Sequence, residues 1–148
     1  MRPRSRSGSI VAAAALGAII VGCGSGGTSS VPSAEAPPAG SIGVSLSEWS
    51  VVPETTSAAA GSVTFDVSND GTQVHEFVVV KTDTAADALA VVDNKIDESV
   101  LTPVDEIEDI AAGATPSLTV DLDAGHYVLL CNIETHYAQG MYADFDVE

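Results

Sequence analysis

Near its C-terminus the chain reads Cys131-Asn-Ile-Glu-Thr-His136-Tyr-Ala-Gln-Gly-Met141, which puts a thiolate, an imidazole and a thioether on one short loop. A second imidazole, His75, stands upstream in Val74-His75-Glu76-Phe77-Val78. Two imidazoles and one thiolate in a trigonal plane, with a weak axial thioether, are the donors of a blue-copper electron-transfer site. Zinc and iron seldom use a thioether, so Met141 points the set toward copper, one ion per chain. These four side chains, His75, Cys131, His136 and Met141, are the expected metal ligands.

The cysteine count agrees with that chemistry. Besides Cys131 the chain has only Cys23, which follows a segment with the marks of a targeting signal. Arg2, Arg4 and Arg6 form a basic start, and Ile10 to Val21 is apolar but too short to span a bilayer as a mature helix. Ile20-Val21-Gly22-Cys23 then resembles a bacterial lipobox, in which the cysteine receives a diacylglycerol and becomes the mature N-terminus. The alternative is ordinary secretory cleavage with Cys23 incidental. On the lipobox reading, residues 1–22 are a lipoprotein signal peptide. The lipid on Cys23 holds the protein to the outer face of a bacterial cytoplasmic membrane, at about 0.8 kcal/mol per buried methylene. Cys131 is then an unpaired thiol in an exported protein, and metal ligation explains its survival in an oxidising compartment better than inert burial does.

Residues 23–40 are rich in Gly, Ser, Thr, Pro and Ala with the single charge Glu35, and read as a flexible tether. Residues 41–148 are the right length for one domain, and their apolar residues alternate with polar ones. Ile42, Val44 and Leu46 alternate in this way, as do Val63, Phe65 and Val67 before the turn Asn69-Asp-Gly71, and Leu118, Val120 and Leu122. Val74 to Val80 is apolar nearly throughout and reads as a central strand. Ala85 to Val92 is the one stretch suited to a short helix. Many short strands and little helix predict an all-β sandwich. Trp49 and Phe65 read as core aromatics.

Strand parity gives the donors a direction. Tyr127, Leu129 and Cys131 share one face of their strand, while His126, Val128 and Leu130 share the other, so His126 is not placed with Cys131. In the last strand Met141, Ala143, Phe145 and Val147 form the inward set. Gly140 relieves crowding just before Met141.

With these residues in place, the chain resembles the cupredoxins, small Greek-key β-sandwiches that bind one type 1 copper through an upstream His and a Cys–His–Met loop. Four residues separate Cys131 from His136 and four separate His136 from Met141, a spacing similar to that of auracyanins and rusticyanin. Plastocyanins have a shorter first gap and azurins a shorter second one. The stretches Asn69 to His75 and Gly125 to Cys131 also resemble the family's approaches to its ligands. There are two departures. Glu76 follows the first His where many members have Asn, and Glu134-Thr135 stands where related loops often read Pro-Gly. A Glu76 side chain turned inward would compete with Met141 as an oxygen donor. Facing water, it leaves its backbone N–H to the Cys131 sulfur, as the resemblance implies.

The resemblance implies outer-sphere electron transfer, with His136 as the ligand nearest solvent and no substrate bond broken. Tyr137 and Tyr142 flank the loop, as rim packing or as part of a contact surface. After residue 22 only Lys81 and Lys95 stand against 21 acidic residues, which excludes nucleic acid as a partner. The runs Asp97-Glu98 and Asp105-Glu-Ile-Glu-Asp109 suit steering of a basic redox partner, such as a cytochrome or an oxidase domain. They equally suit a solubilising or salt-adapted surface. A monomer is expected. The competing function is copper delivery or assembly for an extracytoplasmic oxidase, which calls for an exposed, exchangeable site. Enzymes fit poorly: no hydrolase nucleophile motif surrounds Cys131, and three histidines are too few for a multicopper oxidase.

Overall fold

The computed structural model describes residues 40–148. The expected signal segment 1–22, Cys23 and the expected tether up to residue 39 lie outside the described residues. Eleven strands follow one another: β1 (Ile42–Ser47), β2 (Ser50–Pro53), β3 (Ser57–Ala58), β4 (Gly61–Asn69), β5 (His75–Lys81), β6 (Val91–Val92), β7 (Lys95–Ile96), β8 (Thr102–Ile110), β9 (Ser117–Leu122), β10 (Gly125–Leu130) and β11 (Tyr142–Val147). They form a four-stranded sheet in the order β2-β1-β4-β9 and a five-stranded sheet in the order β3-β11-β10-β5-β8, with β6 and β7 as a separate small ribbon. The chain passes from one sheet to the other between β2 and β3, β3 and β4, β4 and β5, β8 and β9, and β9 and β10. This is the expected β-sandwich.

The alternating strands behave as their sequences predict. β1 and β4 bury Ile42, Val44 and Leu46 and Val63, Phe65 and Val67 against the facing sheet. At the centre, the Phe65 ring meets Phe77 and Phe145 edge-on, with centroids 5.4 and 5.5 Å apart, a favoured aromatic geometry.

The central strands of the five-stranded sheet, β5 and β10, are buried on both faces, which accounts for the unbroken apolar run in β5. Phe77 and Val79 of β5, with Tyr127 and Leu129 of β10, enter the core between the sheets. Val78, Val80, Val128 and Leu130 face outward into a second apolar cluster with Ala86, Leu89, Ile96 and Tyr137. The segment between β5 and β8 therefore acts as a strap over the outer face. Val74, placed in the central strand by composition, precedes it and is exposed.

The short helix that the composition of Ala85 to Val92 allows does not form. That stretch is a turn followed by extended chain ending in β6. Its backbone groups are satisfied from outside. The Asp144 carboxylate accepts the Ala86 N–H at 2.7 Å, the Tyr137 hydroxyl accepts the Leu89 N–H at 3.1 Å and donates to the Ala86 carbonyl at 2.6 Å. Tertiary partners thus replace the i→i−4 bonds of a helix. Among the described residues the helical pieces are two single 3₁₀ turns, Glu98–Val100 and Tyr137–Gln139.

His126 ties the start of this strap to β10 and β11, on the face away from Cys131 as parity requires. Its Nδ1 lies 2.7 Å from the Thr82 carbonyl and its Nε2 3.0 Å from the Asp144 carboxylate. Two acceptors suit a doubly protonated ring. Burial opposes the charge, but the Thr82 bond, the Asp144 bond and the Asp144 and Asp146 charges outweigh it and raise the His126 pKa. A raised folded pKa adds stability that is complete below the unfolded value of about 6.5 and is lost as pH rises through the folded value. Denaturant titrations of wild type and His126→Gln at several pH values should therefore differ most under mildly acidic conditions and converge as the ring deprotonates.

Candidate metal centre

The sandwich brings three of the expected donors together at one end. His75 opens β5, Cys131 follows β10 directly, and His136 lies on the loop between β10 and β11. Their ligand atoms all lie within 4.8 Å of one another. The two imidazole Nδ1 atoms are 3.2 Å apart, and the Cys131 Sγ is 3.4 Å from the His136 Nδ1. Donors held about 2.0–2.3 Å from a first-row ion in a trigonal plane stand about 3.5–3.7 Å from one another, so a small closed cluster of this kind needs little expansion to accept one. His75 and Cys131 are fully buried, and His136 is 6% exposed.

Burial sets the protonation of all three. Desolvation lowers the His75 pKa against the opposing charge of Glu48, and desolvation together with the neighbouring His75 lowers that of His136. Both rings are held neutral, the form that ligates. Burial also raises the Cys131 pKa despite the backbone N–H groups of Glu76 and Ile133. A metal held by Cys131 would take the place of its thiol proton. The Glu76 N–H donates to the Cys131 Sγ at 3.4 Å, as the resemblance implied.

Met141 is fully buried in the same apolar cluster as Cys131. The Cys131 N–H donates to the Met141 carbonyl at 3.0 Å, which clasps the two ends of the loop. The 3₁₀ turn Tyr137–Gln139 carries the chain between them and ends at Gly140, where φ is 115°. A Cβ on Gly140 would stand 3.2 Å from the Trp49 carbonyl oxygen. Glycine is required there by both backbone conformation and space.

The two departures resolve separately. The Glu76 carboxylate is not among the converging donor atoms. It is half-buried; burial raises its pKa, and its surroundings are the Asn132 backbone, Lys95, Glu98 and Glu106. Glu134 is exposed and accepts a hydrogen bond from the Asn94 side chain at 3.3 Å. Thr135 has φ of 73°, a left-handed conformation in which a β-branched residue is uncommon and where related loops carry Gly.

Three contributors were not anticipated from the sequence. Trp49, read as core, is half-buried and packs edge-on against His136 with centroids 4.9 Å apart. Glu48 accepts the backbone N–H groups of Thr72 and Gln73 at 2.8 and 2.7 Å; the Gln73 and Thr72 bonds lower its pKa. Asn132, buried beside Cys131, accepts the Ile96 N–H at 2.6 Å and donates to the Ile96 carbonyl at 3.0 Å and to the Glu98 carboxylate at 2.5 Å. Its position next to Cys131 was the available signal. Glu48 and Trp49 lie in the β1–β2 turn, remote in sequence from every donor, and carried none.

The sulfocyanin (SoxE) domain matches residues 55–148. The chain belongs to the sulfocyanin family. Sulfocyanins are cupredoxins, so the expected fold and the single copper stand, and electron carriage is the general activity of this class. Solved structures give the same fold. Auracyanin from Roseiflexus castenholzii is 19% identical, with a TM-score of 0.56, covering 76% of this chain and 99% of its own. Auracyanin A from Chloroflexus aurantiacus is 19% identical with a TM-score of 0.51, covering 73% of this chain and 98% of its own. Auracyanin B is 22% identical with a TM-score of 0.51, covering 73% and 88%. No curated protein sequence matches this sulfocyanin.

Asn132 holds the strap to the ligand loop with buried bonds, and truncating it leaves the Ile96 N–H and carbonyl unpaired. Asn132→Ala should cost about 1–3 kcal/mol in denaturant unfolding and speed hydrogen exchange at the Ile96 and Thr135 amides. The Thr135 N–H donates to the Asn94 carbonyl on the same strap, so the two amides should loosen together.

Proposed function

We propose that the domain is a one-electron carrier in which His75, Cys131 and His136 hold copper in a trigonal plane and Met141 is the weak axial donor. The observation that carries this reading is the convergence of two Nδ1 atoms and one Sγ in a buried cluster at the mouth of the sandwich. Bound copper would supply a Cu(II)/Cu(I) couple. The protein keeps its donors nearly fixed: His75 and Cys131 stand on or directly beside paired strands, and the loop is clasped at both ends and pinned to the strap. Little rearrangement then accompanies electron uptake or loss.

His136 is the donor with an exposed fraction, so electrons enter and leave by its ring edge beside Trp49. Burial of the other donors argues against copper delivery, which needs an exchangeable site open to a receiving protein. The partner we propose is a basic redox protein, such as a cytochrome or oxidase domain. Its attraction follows from 21 acidic residues against two lysines after residue 22, with Asp105, Glu106, Glu108 and Asp109 exposed along β8. Partial loss of hydration raises the Glu106 pKa although the residue is exposed, and Glu98, Glu108 and Asp105 raise it further by repulsion, as acids crowded into one field do. We further propose that the protein is exported and held at the membrane through a lipid on Cys23, with residues 23–40 as the tether. The Ile20-Val-Gly-Cys23 motif supports this.

The visible spectrum of the oxidised, copper-loaded domain tests the ligand assignment. An intense thiolate-to-copper band in the red is expected. It should vanish in Cys131→Ser and shift in Met141→Ala. A colourless wild-type protein would contradict the electron-carrier reading.

A further inference from the structure

We infer that Glu48 is a positioning residue for His75, accepting the ring's Nε2 proton and thereby setting the ring's orientation and donor strength toward the metal. The inference rests on the copper reading above and adds a residue to it. Ligation through Nδ1 leaves the proton of a neutral imidazole on Nε2. In His75 that atom is fully buried and has no hydrogen-bond partner. A buried polar group left so is costly and calls for an acceptor. The Glu48 Oε1 stands 3.5 Å away, just beyond hydrogen-bond contact.

The carboxylate is built into its place. Backbone N–H groups of Thr72 and Gln73 both donate to the oxygen that faces His75. Gly71 leaves room for it, since a Cβ there would lie 2.7 Å from the same oxygen. The turn that presents this glycine is itself pinned by Asn69, whose side chain donates to the Gln73 and Ile110 carbonyls at 2.8 Å each and accepts the Gly71 N–H at 3.0 Å. Once Nδ1 is engaged, a fraction of an ångström of closure completes the Nε2–H···Oε1 bond. A carboxylate behind a ligating imidazole strengthens it as a donor. A stronger donor favours Cu(II) over Cu(I) and lowers the reduction potential.

The test compares wild type, Glu48→Gln, Glu48→Ala and Gly71→Ala. Its readouts are the reduction potential of the copper-loaded domain and the ¹⁵N and proton resonances of the His75 ring, both in the Cu(I) form and without metal. Glu48→Gln retains an oxygen for the Thr72 and Gln73 bonds but loses the charge. It should weaken Cu(II) binding about tenfold relative to Cu(I), equivalent for a one-electron couple to a rise of about 59 mV, and move the His75 Nε2 proton upfield. Gly71→Ala, which displaces the carboxylate without removing it, should shift both in the same direction. If the wild type shows the red charge-transfer band yet Glu48→Gln leaves potential and ring resonances unchanged, the Glu48 role is overturned and the copper reading stands. If the wild type binds no copper, that reading falls, and the metal-free spectrum decides the contact. An Nε2–H tautomer that depends on Glu48 supports it, and a ring indifferent to Glu48→Ala overturns it.

Discussion

Everything at the mouth of the sandwich follows from burying two imidazoles and a thiol where water scarcely reaches them. His75 and Cys131 are wholly enclosed and His136 nearly so. In such surroundings the charged forms of these groups are suppressed, and each polar atom without a partner is a cost. Neutral rings aimed at one another and at a sulfur make a site that is poor for water and suited to a soft ion. The apolar contacts of the rest of the domain hold these donors in place.

Those contacts come from two cores and not one. The inner core fixes β5 and β10, and hence His75 and Cys131, by interdigitating Phe65, Phe77 and Phe145. The outer core, under the strap, bears on the ligand loop through Tyr137, which joins the outer cluster directly after His136. Asn132, at the start of the loop, adds polar bonds to Ile96 of the same strap. A loop that would otherwise be the most mobile part of the molecule is thereby held at several points, and a fixed loop is what fast electron transfer requires. The β1–β2 turn completes the enclosure by setting Glu48 behind one imidazole and Trp49 against the other.

The parts legible in the sequence were those with a local code. Period-two alternation gave the strands and the faces of Tyr127, Leu129 and Cys131, and the Cys131–His136–Met141 spacing belongs to one loop whose ends are paired strands. Parity also placed His126 away from the centre. What failed or went unseen depended on partners far along the chain. Ala85 to Val92 has the composition of a helix, but Asp144 and Tyr137 supply its hydrogen bonds and its apolar side chains are needed on the outer core. Trp49, read as a core aromatic, does pack against the inner core, but its contact with His136 and the placing of Glu48 appear only when the β1–β2 turn is folded beside the turn at Gly71. Glu76, expected either to ligate or to face water, does neither: it is half-buried among other acids while its N–H serves the sulfur.

A preformed two-nitrogen, one-sulfur site should keep its geometry through a change of copper oxidation state. X-ray absorption at the copper edge, recorded on the oxidised and reduced forms of the loaded domain, tests it most directly. Two imidazole nitrogens and one short sulfur scatterer are expected in both states, with nearly the same distances. An oxygen shell in place of the sulfur, or a ligand gained or lost on reduction, would contradict it.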